Sequence, residues 1–252
     1  MARQSGNTPL RGTLNNTTYA RTRNGYVARE RTRLSKEMMD ANPNYQALRD
    51  QSQEFTRALK ASKLVNNCFS EILKKAKDNR MNNRLSSLFN KVVKQDAINP
   101  RGKRNVLDGE LELLNNFEFN ARTSLSSTLA ITPDISINRA TGEIKLVIPS
   151  FVPVSGLTFP PMATHFKVTL AAGIIDFETE KKESKTLEGT FQEISRESVP
   201  ETSLTVNLSP DSELPLLVVC KISFAEEVNG IMEASGGGTF TACSLVKVDT
   251  GV

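Results

Sequence analysis

His165 is the only histidine in the chain, so it is the one side chain whose ordinary pKa suits general-base work near neutral pH. A nucleophilic triad would also require a serine and an acid around it, and the strand-to-helix elbow GxSxG is absent. His165 stands in Ala163-Thr164-His165-Phe166, at the head of an alternating run, which predicts a structural, hydrogen-bonded imidazole. Asp176, Glu178, Glu180 and Glu183 form the densest acidic cluster. On a strand the first three share one face, where carboxylates could perform acid/base chemistry or hold Ca²⁺. Lys181-Lys182 follow at once and no Asp-rich loop with its glycine is present, so a solvated strand end is expected, and Asp211-Ser212-Glu213 is weaker still. Cys68, Cys220 and Cys243 are an odd number with no CxxC or Cys/His metal spacing, and read as half-buried thiols of a reducing compartment. Ser235-Gly236-Gly237-Gly238 has no basic neighbour for a phosphate, and GxxxxGK[ST] is absent. These residues predict no enzyme, no catalytic site, no metal site and no cofactor.

Something must nevertheless use the chain, and its charge is the sharpest clue. Through Asn105 there are 22 Lys or Arg against 8 Asp or Glu, a net of +14; from Val106 the count is 10 against 20, a net of −10. A basic half can neutralise phosphates. Opposite poles on one subunit also favour head-to-tail contact between copies, which closes into rings or runs on as filaments. The third alternative is attraction between the two halves of one monomer.

The length of 252 residues allows one large or two small domains, and 38% hydrophobic with 24% charged residues is ordinary for a folded chain. No stretch approaches the roughly 20 apolar residues of a membrane-spanning helix, so no membrane insertion is expected. MARQSGNTPLRGTLNN lacks the apolar core of a signal peptide, which predicts cytoplasmic synthesis, with later release by lysis or a leaderless route left open.

The elements follow from period and punctuation. Gly12 to Arg21 and Gly25 to Arg29 read as two short strands around Asn24-Gly25, a pair suited to a type I′ turn. From Pro43 to about Lys77, Leu48, Phe55, Leu59, Val65, Phe69, Ile72 and Leu73 fall on one helical stripe, which Asn66-Asn67 could interrupt. Met81, Leu85, Leu88, Phe89, Val92 and Val93 form a second stripe that ends near Asn99-Pro100. The basic turn Pro100-Arg101-Gly102-Lys103-Arg104 marks the change of composition. Beyond it, seven or eight short strands with Pro and Gly punctuation predict a two-sheet sandwich, including a hairpin around Arg139-Ala140-Thr141-Gly142 and a turn at Asn229-Gly230.

Several segments occur together in order, among them Gly25-Tyr26-Val27-Ala28-Arg29-Glu30, Arg101-Gly102-Lys103-Arg104-Asn105-Val106, Phe117-Glu118-Phe119-Asn120, Ile148-Pro149-Ser150-Phe151-Val152-Pro153 and Glu227-Val228-Asn229-Gly230. In these the chain resembles a family of proteins of this length encoded in Bacteroidota genomes, over nearly its whole extent. The resemblance implies a bacterial source and one conjoined architecture, and it supplies no activity and no functional residue.

The expected fold is therefore α+β: an Arg-rich β-hairpin arm over 1–45, a basic helical hairpin over 46–105, and an acidic all-β sandwich over 106–252. The expected function is self-assembly as a structural protein, in a filament, tube, shell or phage-like particle, with copies of itself as partners. Arg21, Arg23, Tyr26, Arg29, Arg31 and Arg33 are the expected subunit contacts, by strand addition and ion pairing. One alternative is nucleic-acid binding through Lys60, Lys63, Lys74, Lys75, Lys77, Arg80 and Arg84. Another is a carbohydrate- or surface-binding module, which the lack of Trp disfavours.

Overall fold

Apolar alternation broken by Pro and Gly cuts most of the chain after Phe117 into short strands, and a computed structural model shows them. It describes residues 2–4, 9–23, 25–31, 36–74, 76–235 and 239–251, and the chain divides into two units, 1–49 and 50–252.

In the first unit β1 (Ala2–Arg3), β2 (Gly12–Leu14), β3 (Thr17–Thr22) and β4 (Gly25–Glu30) form an antiparallel sheet in the order β1-β4-β3-β2. Gly12 to Arg21 is thus not one strand, as the sequence suggests. Asn15 adopts φ 50° and turns it into a hairpin of its own, a conformation that Asn tolerates better than most residues. The two strands do form a hairpin, but Gly25 stands in β4 opposite Thr22 and not at the centre of the turn as the sequence suggests, and Asn24 lies outside the described residues. The short helix α1 (Lys36–Ala41) follows, then a 3₁₀ turn at Pro43–Tyr45 whose preceding Asn42 accepts from the Asn44 N–H at 3.0 Å. The long helix α2 (Gln46–Cys68) begins here and runs on into the second unit.

The second unit contains α3 (Met81–Lys94), β5 (Phe117–Glu118), α4 (Leu125–Thr128), β6 (Asp134–Asn138), β7 (Glu143–Ile148) and α5 (Pro153–Gly156). It continues through β8 (His165–Asp176), β9 (Lys181–Glu188), β10 (Gln192–Glu193), β11 (Thr202–Asn207), β12 (Leu216–Val228), β13 (Ile231–Ala234) and β14 (Ala242–Asp249). Among the described residues, the larger sheet has the order β10-β8-β12-β14-β5, with β9 also on β8 and β13 on β12; the smaller is β11-β7-β6. The predicted hairpins are present. Gly142 closes one at φ 72°, and Asn229-Gly230 at φ 52° and 80° closes the other, as a type I′ turn requires.

Side-chain parity sorts these elements into layers. Leu216, Val218, Cys220 and Ile222 of β12 join Ile144, Leu146 and Ile148 of β7 and Leu204 and Val206 of β11 in the core between the sheets. Leu217 and Val219 point the other way and join Ala61 and Val65 of α2 and Leu85, Phe89 and Val92 of α3. β12 is covered on both faces, which is why it reads as a continuous apolar run. The helices and the sheet share one core, so the change of charge near residue 105 is not a break in packing.

Helix α2 does not present the stripe the sequence suggests. Val65 is buried, as are Phe69, Ile72 and Leu73 beyond the helix end, but Leu48, Phe55 and Leu59 are 45%, 46% and 42% exposed. The small residues Ala58, Ala61 and Cys68 face inward instead, and small side chains let the helix sit close to the sheet. Gly173 of β8 serves the same approach, since a Cβ there would stand 2.6 Å from Cys68 Sγ. The helix includes Asn66-Asn67 but ends just after them at Cys68, and the described residues from Phe69 to Ala76, where the sequence suggests further helix, form turns.

The basic turn at 100–104 is stitched to α2. Glu54, buried, accepts from the Gly102 N–H at 2.8 Å, and Arg57 donates to the carbonyls of Gly102 and Arg104 at 2.7 and 2.9 Å. Asp96, also buried, organises the same connection, its two oxygens accepting from Ile98 N, Asn99 N, Asn99 Nδ2 and Asn105 N at 2.9–3.0 Å.

Candidate functional site

Cross-strand neighbours in a sheet share a face, and this places the arm's charged residues. Tyr19 lies opposite Ala28, and Arg21 opposite Tyr26. Arg11, which the sequence did not single out, donates to the Tyr26 hydroxyl at 3.2 Å, and the Arg11 and Arg21 guanidinium carbons lie 5.6 and 5.9 Å from the Tyr26 ring centroid. The hydrogen bond from Arg11, with the charges of Arg11 and Arg21, holds the Tyr26 hydroxyl below its ordinary pKa. Arg29 lies opposite Thr18 on the other face, Arg23 and Arg31 are exposed beside the strands, and Arg33 lies outside the described residues. Of the six expected contacts the structure therefore unites Arg21 and Tyr26. Arg11 became recognisable only through the register that sets Gly12 opposite Tyr19.

No described side chain before Glu54 is buried. In the arm's sheet every described side chain retains solvent.

A face of complementary chemistry lies at the end of β12. Glu226 pairs with Glu233 and Val228 with Ile231, so these four side chains share one face of the β12–β13 hairpin. Val228 and Ile231 are 39% and 65% exposed, and among the described residues no ion pair holds Glu226 or Glu233. Like charges directly opposite each other are unfavourable, and a cation placed between them relieves that.

The seven cations of the nucleic-acid alternative are scattered. Lys60 pairs with Glu180 at 2.9 Å, and Arg84 pairs with Asp78 while donating to the Glu118 carbonyl at 2.7 Å. Lys74, Lys77 and Arg80 belong to the turns between α2 and α3, Lys77 Nζ lies 3.4 Å from Asn66 Oδ1, Lys63 is exposed on α2, and Lys75 lies outside the described residues.

The groups first singled out for chemistry are held by their neighbours. His165 Nδ1 is 2.9 Å from Thr164 Oγ1, and its Nε2 is 3.9 Å from Glu227 Oε2. Asp176, Glu178 and Glu180 do not share a strand face, because β8 ends at Asp176 and the chain turns back with Glu180 at φ 59°. Asp176 accepts from the Thr179 hydroxyl at 2.6 Å and from the N–H groups of Thr179 and Glu178 at 3.0 and 2.9 Å, and the hydroxyl bond first, then the backbone bonds, keep its pKa below the ordinary value. Cys68, Cys220 and Cys243 are all buried, and burial raises their thiols, to about 11 for Cys68 and about 12 for Cys220. Among the described residues no group of three His, Cys, Asp or Glu is placed to hold a metal ion, and no helix is long and apolar enough to cross a membrane.

The ionisable residues in the least expected settings are Lys221 and Glu118. Lys221 is 9% exposed in β12, and burial lowers its ammonium. Glu118 shares β5 with Phe117. Its Oε1 accepts from the Leu125 N–H at 2.9 Å, whereas Oε2 is buried with no hydrogen-bond partner. Burial raises this carboxyl to about 7, against the Leu125 N–H, the nearby Ser244 hydroxyl and the charge of Arg84. The folded state thus disfavours ionised Glu118, so stability falls as pH rises from the ordinary carboxylate value through about 7. In a dry site such a shift would amount to about 3 kcal/mol, and partial solvent access reduces it to about 1–2 kcal/mol. Glu118→Gln keeps the Oε1 acceptor. It is expected to be more stable than the wild type at about pH 8 by that amount, and indistinguishable near pH 4. Urea titrations at the two pH values measure the difference.

Comparison with protein-family models, curated proteins and solved structures finds no match to this chain.

Proposed function

We propose that the chain is a self-assembling structural protein in which the arm of one copy docks on the β12–β13 hairpin of the next. The observation that carries this is the absence of any buried side chain among the described residues before Glu54. Ordering a residue costs about 1–2 kcal/mol in backbone entropy, and a small sheet repays that only by covering an apolar face. A second copy supplies the cover.

Charge supports the same pairing. Residues 1–49 hold 9 Lys or Arg against 3 Asp or Glu, net +6, and residues 50–252 hold 23 against 25, net −2. The Tyr26 face brings an aromatic ring with Arg11 and Arg21, and the hairpin face offers Glu226, Glu233, Val228 and Ile231. Such a contact joins unlike surfaces, so it repeats from copy to copy into a ring or a filament. Leu48, Phe55 and Leu59 add apolar surface that a neighbour covers.

Sedimentation and negative-stain images at about 50 mM salt are expected to reveal large species that shrink at about 500 mM, where the Debye length falls to roughly 4 Å. Arg21→Glu, and separately Glu226→Lys with Glu233→Lys, are each expected to raise the concentration needed for assembly about tenfold, or about 1.4 kcal/mol. An equimolar mixture of the two variants is expected to recover mixed contacts. A monodisperse monomer at high concentration and low salt would refute the proposal.

A further inference from the structure

A strand can pair on two sides, and β6 uses one. It pairs with β7 from Asp134 to Asn138, and among the described residues no strand takes its other side. The ladder fixes which backbone groups are left over. The Leu208 N–H donates to the Gly142 carbonyl at 2.9 Å, so Gly142, and after it Ile144, Leu146 and Ile148 of β7, bond toward β11. Alternation then turns Glu143, Lys145 and Val147 toward β6, where they meet Asn138, Ser136 and Asp134. Ile135 and Ile137 therefore direct their N–H and C=O groups to the free edge, where no described residue bonds them.

This edge is also unguarded. Exposed edges are ordinarily blunted by Lys, Pro or a bulge, and β9, another strand paired on one side, carries Lys181, Lys182 and Lys185. From Asp134 to Asn138 there is no Lys, no Pro and no shift of register. A cavity of about 560 Å³ lies beside it, between β6 and β14, and Ile131, Ile135 and Val246 in its wall, near Glu118, are only half-buried.

We propose that β6 is a dimerisation edge, which pairs antiparallel with β6 of a second copy about a two-fold axis at Ser136. The symmetry of the strand around Ser136 selects this partner. In that register Ile135 of each copy faces Ile137 of the other, and residues that both point to the joint exchange two backbone bonds per pair. Their side chains carry the inner apolar face past the cavity. On the outer face Ser136 meets Ser136, and Asp134 meets Asn138, whose Oδ1 accepts from the Thr141 N–H at 3.3 Å and whose NH₂ group is left to donate to the carboxylate. No like charges stand opposite each other, a mismatch that would weaken such a joint. The two small sheets become one continuous sheet, and a two-fold contact closes on itself. It uses no residue of the arm or of the β12–β13 hairpin, so it stands or falls apart from the head-to-tail assembly.

Hydrogen exchange of the full chain, read by mass spectrometry on peptides spanning 131–138, tests it. A contact of this size is weak, with a dissociation constant on the order of 10–100 µM. The Ile135 and Ile137 amides are expected to exchange freely at about 1 µM and at least about fivefold more slowly at about 1 mM. Ser136→Lys and Ser136→Glu each oppose like charges on the axis, at a position exposed in the single copy, and each is expected to lose this concentration dependence. An equimolar mixture of the two variants is expected to regain it, because opposite charges then meet. Exchange in the wild type that does not change with concentration would overturn the proposal, whatever the variants do. Protection that survives either substitution would overturn it too, since another surface or another occupant would then cover the edge. So would a mixture that fails to restore protection, because the axis would then not pass at Ser136.

Discussion

Asp96→Asn is expected to lower the free energy of unfolding by about 3 kcal/mol at neutral pH, although the two side chains have the same shape. Asp96 is buried and its oxygens accept only: Oδ1 from Ile98 N and Asn99 N, Oδ2 from Asn99 Nδ2 and Asn105 N. Asparagine that carries its NH₂ group in place of Oδ2 faces two N–H donors, so two bonds are lost and the Asn105 N–H is left unpaired, while Asn99 Nδ2 keeps its bond to Asp108 Oδ2 at 2.7 Å. Each buried unsatisfied group costs about 1–3 kcal/mol. The pH dependence identifies the cause. Burial pushes the Asp96 carboxyl up, but the N–H groups of Asn99, Asn105 and Ile98 outweigh it and hold the carboxyl at about 2. A depressed carboxylate contributes stability that is present above its unfolded pKa and lost as pH falls through the folded value. The wild type therefore loses this contribution between about pH 4 and pH 2, whereas the variant lacks it throughout. Urea titrations at pH 7 and at successively lower pH are expected to give curves that converge on acidification. A constant gap would mean that asparagine disturbs the loop by a route other than charge.

Asp96 and Glu118 also mark where sequence reasoning stops. The strands of the second unit, its hairpin turns at Gly142 and Asn229-Gly230 and the inward stripe of α3 were legible because period and turn chemistry are local: Met81, Leu85, Phe89, Val92 and Val93 are buried as their spacing predicts, with Leu88 half-buried beside them. The role of Asp96 depends on backbone N–H groups up to nine residues away, and backbone donors leave no mark in a sequence. Glu118 did leave one. A lone carboxylate in Phe117-Glu118-Phe119 belongs, at period two, on the face opposite both rings, and only the second sheet turns that face into a wall. The α2 stripe misled for a different reason. Leu48, Phe55 and Leu59 and the inward Ala58, Ala61, Val65 and Cys68 are both helical stripes, and hydrophobicity alone favours the larger residues. Close approach of the helix to Gly173 selects the smaller set. The uncovered stripe is the apolar surface that the proposed assembly would cover. Among the arm residues, which arginines share a face with Tyr26 follows from register, which the sequence does not give.

Phe89→Ala is expected to have the largest effect of any single truncation considered, about 3–5 kcal/mol. Its ring is fully buried in the core that α2 and α3 share with β8, β12 and β14, and it meets the Phe177 ring edge-on with centroids 5.9 Å apart. The size of the loss matters less than its spread. If the helices and the sheet unfold as one body, helical and strand signals in circular dichroism will fall together, at a melting temperature lowered by about 10 °C. If the helices form a separate basic module, the truncation will melt the helical signal and leave the strands near their original temperature. Joint loss is expected, because removing the helices would open Leu217, Val219 and Leu245, all fully buried, to water. Cooperativity of this kind constrains function. Cations on α2 and α3 are then fixed to a body that also carries the acidic strands, and Lys60 already meets Glu180 there. The +14 and −10 halves of the sequence thus become a body near neutrality and an arm that keeps its excess of arginine. The arm's own sheet buries none of its described side chains, and its surplus of arginine is the charge that the proposed contact between copies would satisfy.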